Sequence, residues 1–517
     1  MSGRRSFPAP ETEMLETMSS PSSTGSVSAA LAKDRLGVPA VVFFILSAVA
    51  PLTVVAGVVT TLYAVTGLVA IGAAFLVVAA ILAIFAAGYV AMARRITNAG
   101  AFYAFVSRGL GRPAGVGIAL VAVVAYNLLQ VGLYGMFGAQ VADYVAGKGG
   151  PVVDWYWYSL AAWAIVTILG LMRVDLNGVV LAVLLTAEVA VVIVLTVGGL
   201  GKPADGITFD SLNPTDLWGA AGIGALLVTA LLGFVGFEAS AVFSEESKNP
   251  RRTVPIATYT SLAVIAVLYA AASWAMSVHY GTENVAAAAG EMGPGMLFAM
   301  STQTIGEIAT VLFLSSLFAA MLSFHSAVGR YMFALGRERV LPRALGRTNL
   351  RTGAPRAASL TQSVVGLLVI VMYAVFGWDP VVQLFFWLGT TGGLGVLIMI
   401  ITTAIAIIAF FARDPQGENV WRRILAPAIA LIFLVFMLYS GLSNFSQLLG
   451  VEPGATPAWA LPSAYAAAGV IGILYGFWLR AARQDVYRGI GLGANAVTGR
   501  AIIDSGQQHP FAPMGTR

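Results

Sequence analysis

Two carboxylates stand inside long apolar stretches of this 517-residue chain. Glu238 follows two glycines in Gly233-Phe234-Val235-Gly236-Phe237-Glu238-Ala239-Ser240. Glu188 sits in Leu184-Leu185-Thr186-Ala187-Glu188-Val189-Ala190. An acid at the centre of a bilayer costs about 2.5–3.5 kcal/mol to insert, so each asks for a use. Glu188 has three open to it: to load a proton, to bind a cation, or to sit protonated and hydrogen-bonded. Glu238 has three as well: a coupling acid, an anchor for a cationic side chain, or a hydrogen-bonding cap on unwound backbone. Nothing nearby makes a catalytic set. There is no Cys, and the three His lie far apart at 279, 325 and 509, which excludes thiol catalysis, disulfides and Cys or His metal clusters. No clustered His, Asp and Ser suggests an enzyme, and no cofactor is expected.

The acids gain meaning from breaks in the helices around them. Span 1 reads Ile45-Leu46-Ser47-Ala48-Val49-Ala50-Pro51-Leu52-Thr53, with a proline mid-span. Proline removes a backbone donor and clashes with the preceding turn, yet it suits the first position of a new half-helix. Gly233 and Gly236 interrupt span 6 in the same way. Lipid-exposed backbone must pair its polar groups within the helix, so a break marks a place that lines a protein cavity. Each break also has a plainer reading: a kink at Pro51, and close helix packing at the glycines.

These spans follow from composition. Hydrophobic residues make up 58% and charged residues 10%, with a mean hydropathy of +0.84. That charge cannot cover a soluble protein of this size, where about 25% is usual. Twelve segments are apolar and long enough to cross a bilayer: 37–64, 68–93, 114–146, 155–172, 174–200, 217–245, 254–279, 305–334, 357–377, 380–412, 422–445 and 457–481. Residues 1–35 carry no apolar run of the signal-peptide kind and read as a disordered cytoplasmic tail. Residues 36–200 and 217–412 form two five-span halves, 420–481 add spans 11 and 12, and 482–517 read as a second cytoplasmic tail. The first half starts inside and the second outside, so the halves are expected to be inverted repeats, and the breaks fall in corresponding spans.

Of the 29 Lys and Arg, only Lys148 and Lys202 fall on the far side; the other 27 lie in the tails, the even-numbered loops or adjoining helix ends. By the positive-inside rule both termini are cytoplasmic in a multi-pass plasma-membrane protein. The same placement accounts for the net charge of +5 through lipid contact, without a nucleic-acid partner.

Three stretches resemble the amino acid–polyamine–organocation (APC) permeases. The first is Glu245-Glu246-Ser247-Lys248-Asn249-Pro250-Arg251-Arg252-Thr253-Val254-Pro255, joined to Gly236-Phe237-Glu238. The second is Asn98-Ala99-Gly100-Ala101-Phe102-Tyr103. The third is Ser326-Ala327-Val328-Gly329-Arg330-Tyr331 through Gly336-Arg337, with Leu341-Pro342. The resemblance covers about residues 36–480. It implies an all-α membrane protein of about 12 helices, a LeuT-type 5+5 inverted repeat plus two C-terminal helices, moving an amino acid or related amine by alternating access. Many members have a glycine-rich break in the first helix; Ser47 to Pro51 is similar to the polyamine-importer branch as much as to the amino-acid branch. Many also carry a Lys at the fifth-helix position where this chain has Glu188.

On this reading the half-helix ends bind substrate. Free N–H groups at a half-helix start suit a carboxylate, and free carbonyls suit an ammonium. Ser47, Ala48, Val49, Ala50 and Thr53 are expected to take the carboxylate. Phe234, Val235, Gly236, Phe237 and Glu238 are expected to take the amine. Pro51, Phe234 and Trp387 are gate candidates, the last beside Phe386 and Gly389-Thr390-Thr391-Gly392-Gly393. Glu188 and Glu238 are coupling candidates, with a proton as the expected ion, because no Lys or Arg is expected in the apolar parts of spans 1, 5 or 8. Tyr126 and Gln130, four residues apart on span 3, line the cavity or bond between helices. Import and exchange, the substrate's identity and the oligomeric state are not legible in these residues.

Overall fold

The computed structural model describes residues 36–493, except 97, 99, 173, 218–222 and 349–353, and no side chains for 174–181, 225 and 245. The expected tail 1–35, residues 494–517, Ala99 and the Glu245 side chain lie outside the described residues.

Apolar composition makes helices here, and little else. Among the described residues, the pairing of Leu36 with Ser247 is an isolated bridge and no strand forms. Among the described residues, ten helices are long and apolar enough to cross a membrane: Val38–Thr66, Ile71–Ala93, Arg112–Gly147, Ala182–Leu200, Pro250–Tyr280, Gln303–Arg337, Arg356–Phe376, Pro380–Arg413, Trp421–Ser443 and Thr456–Ala482. They fall on ten of the twelve expected spans. Span 4 is a helix of 16 residues, Trp155–Gly170, shorter than a bilayer normally needs. Span 6 is the helix Ile223–Leu232, a run of turns over 233–238, and the short helix Ala239–Val242.

Packing puts the broken spans in the middle. In span 1, 89% of the most apolar window is buried within the protein, against 17% in span 12, so span 1 is a central post and span 12 a peripheral one. Span 2 packs on span 7, span 3 on span 8, and span 4 on span 9. Span 1 lies against spans 5 and 7, as span 6 lies against spans 10 and 2.

The loops divide between two faces. At one, Leu36 N–H donates to Glu246 O (3.0 Å), Asn98 Nδ2 donates to Glu338 Oε1 (3.1 Å), and Arg95 bonds Glu418 (2.8 Å). The start of the expected C-terminal tail folds back on the same face. After the helix Gln484–Gly489, the N–H groups of Gly491 and Gly493 donate to the buried Glu338 carboxylate (2.6 and 2.7 Å). The Tyr103 hydroxyl donates to that carboxylate as well. At the other face Lys148 pairs with Glu307 (3.0 Å) and Ala204 N–H donates to Val278 O (3.0 Å).

Candidate functional site

The break in span 1 is one residue wide. The helix Val38–Val49 ends at Ala50, which is left-handed (φ 51°, ψ 73°), and Pro51 opens the next stretch. A non-glycine residue pays about 1–2 kcal/mol for that conformation. The first N–H groups beyond the break need acceptors from elsewhere. Leu52 N–H lies beside the Glu188 carboxylate of span 5. Thr53 N–H finds Ser316 Oγ of span 8 at 3.3 Å, and the Thr53 hydroxyl donates to the same oxygen at 3.0 Å. Ser316 also lies beside Glu188. Glu188 therefore faces a half-helix start that belongs to another span. It is 1% exposed, and its Oε2 has no hydrogen-bond partner among the described residues. Arg330 lies within span 8 as drawn from the sequence, but its partner is Glu246 rather than Glu188.

The break in span 6 caps itself. N–H groups of Gly233, Phe234 and Val235 each bond three residues back (3.1, 2.9 and 3.2 Å). Gly236 then has φ 118°, and a Cβ there would lie 3.1 Å from Ala48 Cβ and 3.2 Å from Val49 N. Glycine thus supplies both the conformation and the close approach of the two breaks. Glu238 Oε2 accepts from Gly236 N–H at 2.9 Å, and Oε1 accepts from the Tyr126 hydroxyl at 2.6 Å. Its carbonyl accepts from the Tyr89 hydroxyl at 2.8 Å.

Between the breaks is a small cavity of about 70 Å³, tighter than an open small-molecule site. Ala48, Val49, Ala50 and Thr53 form one wall, with Val54, Gly57, Val58 and Thr61 further along span 1. Thr229, Leu232 and Val235 come from span 6, Leu129 and Leu133 from span 3, Ala320 and Phe324 from span 8, and Phe385, Phe386 and Gly389 from span 10. Its polar side chains are three threonines, and no charged side chain lines it. The cavity follows the half of span 1 remote from Leu36.

A family comparison decides what such a chain is. The amino acid permease family, within the APC superfamily, matches residues 36–473. The chain belongs to that family. Over 367 residues it is 29% identical to the branched-chain amino acid permease BcaP of Lactococcus lactis subsp. cremoris, covering 67% of this chain and 75% of that one. The methylthioribose transporter of Bacillus subtilis is 25% identical over 288 residues, 53% of this chain and 57% of that protein. Human cationic amino acid transporter 4 is 25% identical over 244 residues, 46% of this chain and 35% of that protein. The permease is accordingly a multi-pass membrane protein of a transporter family.

Of the residues singled out from sequence, Ala48, Val49, Ala50, Thr53 and Val235 meet at the cavity. Ser47, Pro51, Gly236 and Glu238 are not among its lining residues. Phe234 packs against Phe75 and Tyr269 (6.1 and 6.2 Å between ring centres), and Phe237 against Phe85 and Tyr89 (6.4 and 6.5 Å). The Trp387 indole donates to Leu449 O at 3.0 Å, while its neighbours Phe385 and Phe386 face the cavity. The stretch 389–393 is regular helix; Gly392 and Gly393 leave room for Leu129 and Leu232. Tyr126 and Gln130 bond between helices, Gln130 with Gln362 of span 9. Sequence reasoning missed Leu129, Leu133, Leu232, Phe324 and Phe385. They are apolar positions in apolar helices, and no local signal separates a cavity-facing leucine from a lipid-facing one.

Proposed function

We propose that this permease carries a neutral amino acid with an apolar side chain across the plasma membrane by alternating access, as a proton-linked importer with both termini in the cytoplasm. The observation that carries the reading is the cavity itself. It joins the two broken helices to walls of Leu, Val and Phe, with no charged side chain among the described residues that line it. A cationic side chain or a polyamine needs a carboxylate to neutralise it, and Glu238 already has both oxygens bonded. BcaP, named for branched-chain amino acids, is among the similar proteins and agrees with this choice. The inverted-repeat arrangement is supported by reciprocity in packing. Exchanging spans 1–5 with 6–10 turns the 1–5 contact into 6–10 and the 1–7 contact into 6–2, and both pairs pack. Orientation rests on the 27 basic residues of the Leu36 side.

Proton linkage falls to Glu188. A buried carboxyl with one unpartnered oxygen and no ion pair among the described residues is suited to hold a proton while the site is closed and release it when water enters. The test of substrate class is a thermal-shift screen of the purified protein. Leu, Ile and Val should stabilise it, by about 2.7 kcal/mol at a hundred times Kd, while Arg, Lys and putrescine should not. Stabilisation by the cations alone would overturn the assignment.

A further inference from the structure

Below the cavity, on the Leu36 side, the structure is closed by four side chains from three spans. Phe44 lies one helical turn before Ala48 and stacks on Phe243, with ring centres 4.7 Å apart. The Arg330 guanidinium of span 8 lies over Phe243 as well, 4.8 Å from its ring centre. Arg330 Nε donates to Glu246 Oε1 at 2.7 Å and Nη2 to Oε2 at 3.4 Å, with the two side chains only 6% and 2% exposed. Backbone bonds fasten the start of span 1 to the same point, Leu36 N–H to Glu246 O and Lys248 N–H to Leu36 O.

We propose that the Arg330–Glu246 pair, seated on the Phe44–Phe243 stack, is the closure of the transport path on the Leu36 face. This rests on the alternating-access reading above. A solute leaving the cavity on that side has to part Phe44 from Phe243, and Arg330 cannot keep its place over Phe243 when they part. The chemistry suits a contact that opens and re-forms. A buried ion pair adds little net stability, because each charge loses its water on burial. Admitting water to the opened path returns that hydration to both partners together. Removing one partner leaves the other charge buried and alone, which is costly in the closed state only. Arg330 and Glu246 are thus positioning residues: they bias which face is shut and do not touch substrate.

The chain has no Cys, so one introduced thiol reports alone. Ser47 is buried one turn inside the plug, and its hydroxyl has no partner among the described residues. Ser47→Cys is therefore a small change in the right place. In reconstituted vesicles, a membrane-impermeant maleimide offered on the Leu36 face should label Ser47→Cys slowly. Adding Glu246→Gln should raise that rate about tenfold, which is about 1.4 kcal/mol in the open fraction. Arg330→Lys keeps the charge but loses the planar stack and the two-pronged bond, and should give a smaller rise; it carries the test if Glu246→Gln is poorly recovered. A parental labelling rate in Arg330→Lys and in Glu246→Gln overturns the proposal. Labelling requires no substrate, so an error in the substrate class leaves this result untouched. Absence of counterflow for every amino acid, with labelling still responsive, would instead count against the transport reading.

Discussion

At the break in span 6 the carboxylate that caps the backbone comes from two residues further along the same chain, and both its oxygens are filled by Gly236 N–H and the Tyr126 hydroxyl. At the break in span 1 the carboxylate arrives from span 5, shares its site with Ser316 of span 8, and leaves Oε2 unpartnered. Both solve one problem, a half-helix start inside a membrane with donors to satisfy. They differ in what the solution depends on. Glu238 holds its geometry through one bond to its own break and one to Tyr126 of span 3, with both oxygens filled. Glu188 holds only while spans 1, 5 and 8 keep their present spacing, so a movement of span 1 against spans 5 and 8 must change its environment. A saturated cap suits a fixed wall. A tertiary cap with a vacant hydrogen-bonding position suits a group that reports conformation by gaining or losing a proton.

The severest way to break this comparison is to remove the contact between the two breaks. Gly236→Leu puts a branched side chain at φ 118° and against Val49 N, where even a Cβ has 3.2 Å. Uptake should fall below detection while the protein still inserts and purifies as a single species; normal uptake by a well-expressed variant ends the broken-helix account. Next in size is Glu188→Gln, which preserves the shape and fixes a neutral group. Accumulation driven by a pH gradient should disappear, and substrate counterflow should stay within about threefold of the parent, a change near 0.7 kcal/mol. Accumulation equal to the parent's, with the same pH dependence, would make Glu188 a structural cap like Glu238. Tyr126→Phe tests the other side. It removes the donor to Glu238 Oε1 without altering the ring, which packs on Tyr331 at 5.7 Å. Losing one hydrogen bond to a buried charged group costs about 1.5–3 kcal/mol. Thermal unfolding should register that loss, with the pH dependence of transport unmoved.

Much of this was legible in the chain because the bilayer leaves few options. Ten of the twelve expected spans stand as long apolar helices, and the breaks at Ala50–Pro51 and 233–238 are where Pro and Gly placed them. Proline and glycine act through backbone geometry, which is local, so sequence reports it. Which side of a helix faces the cavity is a tertiary fact. Trp387 and Phe234 drew attention as aromatics beside flexible residues, yet the rings of that part of span 10 that reach the cavity are Phe385 and Phe386, two residues and one residue before Trp387. The partners of Glu188 were hidden for the same reason. Ser316 lies 128 positions away in the chain, in a run of small and apolar residues with no mark of its own. Arg330 stood within the drawn limits of span 8, and only the fold gives it to Glu246.

The smallest effect is the most discriminating. Ser316→Ala removes a hydroxyl that accepts from Thr53 N–H and the Thr53 hydroxyl and lies beside Glu188. The two bonds to Thr53 are long and join neutral groups, so their loss costs about 1 kcal/mol. What remains depends on the Glu188 carboxyl. A hydrogen bond to a neutral carboxyl contributes about 0.5–1.5 kcal/mol, and one to a carboxylate about 1.5–3 kcal/mol. A double-mutant cycle separates them: unfolding free energies of Ser316→Ala, Glu188→Gln and the pair yield the coupling between the two side chains alone. If Glu188 rests protonated in this closed state, Gln reproduces its hydrogen bonding and the coupling should be under about 1 kcal/mol. A coupling of about 2 kcal/mol or more means that the resting group is charged. The unpartnered Oε2 would then be waiting for a cation instead of holding a proton, and the contrast with Glu238 would lie in the ion rather than in the bonding.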